Sequence, residues 1–247
     1  MNGLLEVSGL TRRFGGILAV DSVSFAVAPG EILGIIGPNG SGKSTLFNCI
    51  LGQLRPTAGR VRFAGREVTG LRPSLLSRLG IGRTFQLLQI FPKLKVRENL
   101  LAAGQEHRGS MLSRLFGAPD AGLAGAVEEM LAFFRLAHLA ETPAGSLSYG
   151  QQKLLDIAMA FMAGPRLVFL DEPAGGVNPA MLAELKARLR ALNRERGATF
   201  VLIEHNMEFV MGLCDRVLVM AEGRVIAEGT PREVRADARV IEAYLGG

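Results

Sequence analysis

Residues Gly37–Thr45 (GPNGSGKST) match the pattern G-x-x-x-x-G-K-[S/T] of phosphate-binding loops. That pattern is informative only where a buried strand precedes it and a helix follows it. The run before it, Glu31–Gly37 (EILGIIG), is apolar and closed by glycine, which is typical of a fully buried strand. The run after it, Leu46–Gly52 (LFNCILG), has the composition of the first turns of a helix. We therefore predict a strand, a glycine-rich loop and a helix that together bind phosphate.

The chemistry of this loop follows from its residue types. Glycines let the backbone turn so that successive N–H groups converge on phosphate oxygens, and the start of the helix adds a partial positive charge. We expect Lys43 to reach the β- and γ-phosphates of a nucleotide and Ser44 to offer its hydroxyl to magnesium. The predicted nucleotide-binding residues of the loop are Gly37, Pro38, Asn39, Gly40, Ser41, Gly42, Lys43, Ser44 and Thr45.

Two acidic residues, Asp171 and Glu172, follow the apolar run Leu167–Leu170. A lone carboxylate at the end of a buried strand is costly, and a magnesium ion shared with Ser44 and the phosphates would explain it. Glu172 is placed to orient or deprotonate an attacking water. The alternative is an acidic pair that faces solvent at the end of a strand.

Further candidates are ambiguous when each is taken alone. Gln86 can bind a metal or a water, or it can be a surface glutamine. His205 ends the apolar run VLIEH and is alternatively a hydrogen-bonded structural histidine. Phe14 can stack on a base or belong to the core. Leu147–Gln152 opens a helix that Ser148 can cap, and this start is either an anion site or a plain cap.

The remaining pattern predicts an α/β fold. Rough apolar alternation in Leu4–Leu10 and Ile17–Ala28 indicates strands, and Val61–Val68 indicates a hairpin. Helix formers dominate from Val96 to Gly164, with Gly104–Gly125 expected to be a mobile loop with short helices. After this stretch, strands alternate with helices along the chain. We expect strands at 166–173 and 198–205, helices at 179–197 and 207–214, and a hairpin at 215–230. Such alternation implies a mainly parallel sheet covered on both faces, with the helical stretch as an inserted subdomain.

Composition excludes several classes of protein. Of 247 residues, 48% are hydrophobic and 21% are charged, which excludes a disordered tail, a collagen and a coiled coil. No apolar run reaches the roughly 18 residues that cross a bilayer, and we expect no signal peptide. Two cysteines make no disulfide framework, so we expect a reducing, cytoplasmic compartment. The net charge of +5 is small and dispersed, and we expect no nucleic-acid binding. The arginines expected to form a solvated helix face are Arg188, Arg190, Arg194 and Arg196.

In their order along the chain, these residues resemble the nucleotide-binding subunit of an ABC transporter, and the resemblance runs from Val7 to the C-terminus. It implies an α/β phosphate-loop NTPase core of mainly parallel sheet, with an N-terminal antiparallel β subdomain and a helical insert. The run LSYGQ at Leu147–Gln151 resembles the family signature LSGGQ, with Tyr149 replacing the first glycine. The resemblance implies adenine stacking by Phe14, a link between magnesium and the attacking water by Gln86, a magnesium-side aspartate in Asp171, a catalytic glutamate in Glu172 and a γ-phosphate switch in His205.

The resemblance also implies cofactors and a dimer. Two subunits of that family enclose two ATP molecules head to tail, so Ser148, Gly150 and Gln151 would serve the ATP held by the partner's phosphate loop. ATP and Mg²⁺ are the implied cofactors. The implied catalytic residues are Lys43, Glu172 and His205, and the implied metal-side residues are Ser44, Gln86 and Asp171.

One departure from the family pattern points to a particular branch of the family. After the acidic pair the chain has PAGGVNP at Pro173–Pro179, where the family often has a run ending in aspartate. Asn178 can hydrogen-bond but carries no charge, so coupling between two sites is expected to be less strict. This run, together with IGRTFQ, LSYGQQ, IEHNM and the ending VIEAYLGG, resembles the first of two ATPases in bacterial branched-chain amino acid uptake systems. Relatives in that branch carry amides, urea or aromatic acids.

The resemblance implies one domain over residues 1–247, with 1–86 and 165–247 forming the core and β subdomain and approximately 87–164 the helical subdomain. The implied partners are a second, related ATPase chain, two membrane permease subunits and, indirectly, a substrate-binding protein, at the cytoplasmic face of the plasma membrane. The alternatives are an ABC ATPase outside transport, such as a translation or DNA-repair factor, and a regulatory module without turnover. A phosphate-loop kinase or GTPase would leave LSYGQQ and His205 without a role.

Overall fold

Two β-sheets organise the part of the chain that the computed structural model describes, which is residues 3–84, 88–105 and 121–245. The strands are β1 (Leu5–Phe14), β2 (Ile17–Val27), β3 (Ile32–Ile36), β4 (Ala58–Phe63), β5 (Arg66–Glu67), β6 (Ile81–Arg83), β7 (Leu167–Asp171), β8 (Thr199–Ile203), β9 (Arg216–Ala221) and β10 (Arg224–Gly229). The α-helices are α1 (Lys43–Ile50), α2 (Pro73–Arg78), α3 (Val96–Gln105), α4 (Ala121–Phe133), α5 (Tyr149–Phe161), α6 (Pro179–Arg196), α7 (Met207–Leu213), α8 (Pro231–Ala236) and α9 (Ala238–Leu245). Short 3₁₀ helices span Ala137–Leu139 and Ala144–Ser146.

The larger sheet has the strand order β10-β9-β3-β8-β7-β6 and is parallel except for β10, which is antiparallel to β9. The strand predicted before the phosphate loop is its inner strand β3, and every residue of β3 is buried. Ile32 and Ile36 enter one hydrophobic core with α3–α7, whereas Leu33 and Ile35 enter a second core with α1 and the smaller sheet. Because both faces are covered, this strand is apolar without alternation.

The smaller sheet is antiparallel, with the order β2-β1-β4-β5. It confirms the two predicted N-terminal strands as β1 and β2, and the predicted hairpin as β4 and β5. The hairpin turns at Ala64 and Gly65, whose φ angles of +50° and +77° suit the twist of paired strands. Strand β1 runs to Phe14, beyond its predicted end, because it pairs with both β2 and β4.

The predicted helices are confirmed where the structure describes them. The stretch from Val96 to Gly164 contains α3, α4 and α5. Residues 106–120, most of the predicted loop Gly104–Gly125, lie outside the described residues, while residues 121–125 belong to α4 and not to a loop. Helix α6 ends at Gly197 as predicted, and the φ of +64° there favours glycine. In the described residues, no helix combines the length and the apolar character that crossing a membrane requires.

The arginines of α6 that the sequence predicts to be solvated differ in exposure: Arg194 and Arg196 are exposed, whereas Arg188 and Arg190 are half-buried. The ion pairs are Arg188–Glu184, Arg190–Asp215 and Arg196–Glu129. Only 17% of the Arg188 side chain is exposed. Two of the three carboxylates come from other elements, which the spacing within the helix does not reveal.

Candidate functional site

The predicted catalytic side chains follow three neighbouring strands of the larger sheet. The phosphate loop follows β3, Glu172 directly follows β7, and His205 lies two residues after β8. Because β8 lies between β3 and β7 and all three are parallel, their carboxyl ends open at one edge. In register, Ile35 pairs with Ile203, and Ile203 pairs with Asp171. The fold therefore brings the phosphate loop, the acidic pair and His205 to one edge of the sheet.

The phosphate loop has the backbone that its glycines predict. A Cβ at Gly37 would lie 2.0 Å from Met220 O. One at Gly42, where φ is +97°, would lie 2.2 Å from Ala19 O. Neither position can hold a side chain without moving the backbone of a neighbouring strand or turn. Helix α1 starts at Lys43, so the loop and the positive end of the helix dipole coincide.

The Lys43 ammonium folds over the loop. It donates to Gly37 O and Pro38 O at 2.8 Å each and to Ser41 Oγ at 3.3 Å. Burial lowers the pKa of Lys43, and the nearby Glu172 carboxylate opposes that shift. The lysine is therefore held at the loop by uncharged acceptors, which the more negative oxygens of a phosphate can replace.

Asp171 is bound by an arginine that the sequence analysis missed. Arg83 Nη2 lies 3.1 Å from Asp171 Oδ2. Arg83 Nη1 donates to Asn48 Oδ1 at 3.1 Å and to Gln53 Oε1 at 2.6 Å. No local pattern in IGRTFQ could indicate these contacts, since Asp171 lies 88 residues away along the chain. Asp171 is 9% exposed, so the alternative of a solvent-facing carboxylate is wrong for it.

The oxygen donors at this edge fit a magnesium ion. Asp171 Oδ1 accepts no hydrogen bond from the residues that the structure describes, and Ser44 is exposed in the first turn of α1. Carboxylate and hydroxyl oxygens are hard ligands that Mg²⁺ takes together with water and phosphate oxygens. Within the described ranges, no group of three His, Cys, Asp or Glu side chains could hold a metal.

Glu172 and His205 approach each other in front of the sheet edge. His205 Nδ1 lies 3.8 Å from Glu172 Oε1, and the two side chains are 63% and 31% exposed. Most of the His205 side chain is therefore open to solvent. Glu172 has a φ of +47°, which few glutamates adopt. Its N–H donates to Ile203 O at 3.0 Å, so the neighbouring strand supports this turn.

The signature-like run forms a helix cap. Ser148 Oγ accepts from Gln151 N at 3.4 Å, and Gln151 Oε1 accepts from Ser148 N at 2.9 Å, which is a capping box. Gly150 packs against α6, where a Cβ would lie 2.4 Å from Met181 Cγ. Within this chain these residues start α5, and a role toward a partner's ATP stays a prediction.

The outcomes for the other predicted residues differ. Phe14 is 41% exposed, so the core alternative is wrong, and Arg12 Cζ lies 4.4 Å from the centre of its ring. Gln86 lies outside the described residues.

Asn178 caps α6, because its Oδ1 accepts from Met181 N at 3.0 Å. The amide that replaces the expected aspartate therefore has a local structural role.

Comparison with known proteins identifies the family. The family model described as ABC transporter matches residues 20–175, which is more than half of the chain. The chain belongs to the ABC transporter ATP-binding family. A second model, described as branched-chain amino acid ATP-binding cassette transporter, matches residues 224–247 of this ABC ATPase.

Relatives span the full length of this ABC ATPase. It is 42% identical to the high-affinity branched-chain amino acid transport ATP-binding protein BraF of Pseudomonas aeruginosa, with 98% of both proteins covered. It is 39% identical to LivG of Escherichia coli K12, again with 98% of both covered. The ADP conformation of MJ1267, an ATP-binding cassette of an ABC transporter, has a TM-score of 0.90 at 36% identity over 100% of both chains. A nucleotide-free ATP-binding cassette has a TM-score of 0.88 at 36% identity over 99% of both. The predicted fold is confirmed, and the chain is an ABC-type ATPase.

Proposed function

We propose that this ABC ATPase energises a membrane importer of branched-chain amino acids or a related small polar cargo. The observation that carries the proposal is the convergence of the phosphate loop, Glu172 and His205 at one sheet edge. This convergence occurs in a chain that matches transport ATP-binding proteins over its whole length. The match of residues 224–247 to a branched-chain amino acid model supports the cargo class.

In the proposed mechanism, ATP replaces the internal partners of the loop. The phosphate oxygens accept from backbone N–H groups of the loop between residues 39 and 45 and from Lys43, whose ammonium leaves Gly37 O and Pro38 O. Phe14 stacks on the adenine with the ring face that Arg12 does not cover. Binding thus exchanges uncharged acceptors for charged ones around Lys43.

Hydrolysis then depends on the pair Glu172 and His205. Glu172 accepts a proton from the water that attacks the γ-phosphate in line with the leaving oxygen. His205 is close enough to Glu172 to contact the same water and the γ-phosphate. Mg²⁺, when bound, neutralises charge that develops on the phosphate oxygens. Ser44, Asp171 and Gln86 are the residues proposed to hold it.

The proposed assembly has two ATPase chains. Ser148, Gly150 and Gln151 of one chain complete the site of the other, so the γ-phosphate charge gains donors from both sides. The partners are a related second ATPase, two permease subunits at the cytoplasmic face of the membrane and, indirectly, a substrate-binding protein. Approximately residues 87–164 are proposed as the helical subdomain that passes closure to the permeases, and residues 1–86 with 165–247 as the nucleotide-binding core.

The test is recovery of the assembly from native membranes. We would tag the Glu172→Gln variant, add ATP and magnesium to hold the closed dimer, and identify bound chains by mass spectrometry. We expect a second ATPase of similar size and two hydrophobic membrane proteins. Lys43→Ala is the matched control, because it is expected to lose the ATP-dependent part of the recovery. The tagged chain alone, or ribosomal or DNA-repair proteins in place of permeases, would refute the proposal.

The cargo is tested on the recovered complex after reconstitution into vesicles. We expect ATP-dependent uptake of labelled leucine, isoleucine or valine in the presence of the binding protein. Uptake of urea, an amide or an aromatic acid instead would support the proposal that the complex is an importer but would show that its cargo is not a branched-chain amino acid.

A further inference from the structure

Glu204 is a fully buried carboxylate that none of the proposed catalytic roles uses. It lies between β8 and His205 and has 0% of its surface exposed. An ionised carboxylate without partners is very costly in such a place, so its contacts must compensate the loss of water.

Those contacts are backbone N–H groups from two different turns. Glu204 Oε1 accepts from Ala174 N at 2.6 Å. Glu204 Oε2 accepts from His205 N and Asn206 N at 3.0 Å each. Both carboxylate oxygens therefore accept hydrogen bonds, and each oxygen accepts from a different segment of the chain.

The two turns are the ones that carry the proposed catalytic side chains. Ala174 lies two residues after Glu172, in the turn after β7, and His205 belongs to the turn after β8. Strands β7 and β8 are paired in parallel up to Asp171 and Ile203, and the pairing stops there. Beyond this point Glu204 is a bridge between the two turns.

A buried positive charge stands near this bridge. Lys153, on α5, is 4% exposed, and Asp156, Glu204, Asp171 and Glu172 all act on its ammonium electrostatically. An ionised carboxylate accepts at both oxygens, whereas an amide in its place accepts at one and donates at the other.

We propose that Glu204 is a positioning residue for ATP hydrolysis, whose carboxylate fixes the spacing between Glu172 and His205 by binding backbone amides of both turns. It acts through those two residues and does not touch the nucleotide. The inference rests on the proposed function, since it assigns Glu204 to the same reaction.

The test compares Glu204→Gln with Asp215→Asn. Asp215 accepts from Ile32 N at 2.9 Å and pairs with Arg190, at the opposite end of the parallel strands, so its variant controls for the loss of a structural carboxylate. Turnover, KM and ATP affinity would be measured on the full chain in the recovered complex. We expect Glu204→Gln to lower kcat by about 10- to 100-fold, because small displacements of positioned groups have effects of that size. ATP affinity should stay at the wild-type value in both variants, and Asp215→Asn should keep the wild-type kcat.

Amide hydrogen exchange measures the bridge without reference to catalysis. Exchange at Ala174, or at His205 and Asn206, should be faster in Glu204→Gln, because glutamine accepts at one of the two positions only, and exchange at all three amides should be unchanged in Asp215→Asn. If Glu204→Gln fails to fold, Glu204→Asp keeps the charge beside Lys153 but is one methylene too short to reach both turns, and the same losses are expected.

Three results have distinct meanings. Wild-type turnover in Glu204→Gln, with Glu172→Gln inactive, overturns this inference alone. An equal loss of kcat in Glu204→Gln and Asp215→Asn also overturns it, because the effect would then be general destabilisation. Wild-type turnover in Glu172→Gln overturns the proposed function itself.

Discussion

Arg83 Nη2 lies 3.1 Å from Asp171 Oδ2, and the two side chains are only 14% and 12% exposed. The same guanidinium donates to Asn48 on α1 and to Gln53 beyond it. One arginine on the short strand β6 therefore ties the proposed magnesium-side aspartate to the helix that carries the phosphate loop. We therefore expect the position of Asp171 relative to α1 to depend on this pair.

The first prediction concerns the removal of Arg83. Arg83→Ala leaves Asp171 buried without its counter-charge, which we expect to lower the free energy of unfolding by about 3 kcal/mol. Urea denaturation of the purified chain measures it. Arg190→Ala is the control, because its pair with Asp215 is 28% and 45% exposed and should contribute about 0–1 kcal/mol. Equal losses in the two variants would show that the Arg83 pair is no stronger than a surface pair.

The second prediction concerns Lys43. Lys43→Ala removes a charged donor to the phosphates, and we expect the Kd for ATP to rise by about 10- to 100-fold. Titration with a fluorescent ATP analogue measures it. Lys95→Ala is the matched control, since Lys95 is an exposed lysine whose partner is Glu141, and it should leave ATP affinity unchanged. Unchanged affinity in Lys43→Ala would contradict the role given to the phosphate loop.

The third prediction separates binding from turnover. Glu172→Gln keeps the size of the side chain but removes the base, so we expect kcat to fall by about 100- to 10,000-fold with ATP affinity retained. Phosphate release and ATP titration measure the two quantities. Glu184→Gln, which changes an acidic residue paired with Arg188 on α6, should hydrolyse ATP normally. Phosphate release at the wild-type rate in Glu172→Gln would remove Glu172 from the mechanism.

The fourth prediction is a pH dependence of stability. Asp156, on α5, is 5% exposed, and burial raises its pKa from 3.8 to about 6 although Gln89 N donates to it. Between about pH 4 and pH 6 the native state thus holds a proton that the unfolded state has lost. The contribution of Asp156 therefore decreases as pH rises through this window, by about 3 kcal/mol, and is constant above it.

The measurement for Asp156 is the difference in unfolding free energy between wild type and Asp156→Asn from pH 4 to pH 7. We expect the wild type to lose stability relative to the variant as pH rises. Asp237→Asn is a control with little pH dependence in this range, because Arg239 lowers the pKa of the exposed Asp237 carboxyl below its ordinary value of 3.8. A difference independent of pH would mean that Asp156 is ionised in the native state throughout this range.

The predictions that succeeded from sequence concern local structure. The glycines of the phosphate loop, the apolar run of β3 and the stop of α6 at Gly197 each express a rule that acts over a few residues. The same holds for the hairpin at Ala64 and Gly65. The sequence did not indicate the ion-pair partners of Arg190 and Arg196 on α6, because those partners belong to other elements.

The sequence by itself determined that a phosphate loop, an acidic pair and a histidine each follow a buried strand. Backbone conformation and the period of hydrophobic residues depend on a few neighbouring residues, so the sequence shows them directly. Only the tertiary structure decided which charged side chains lie within contact distance of their partners. Arg83 contacts Asp171 across 88 positions, and Glu204 contacts Ala174 across 30. The physical reason is that ion pairs and buried hydrogen bonds act over a few ångströms in space, and distance along the chain does not specify that separation.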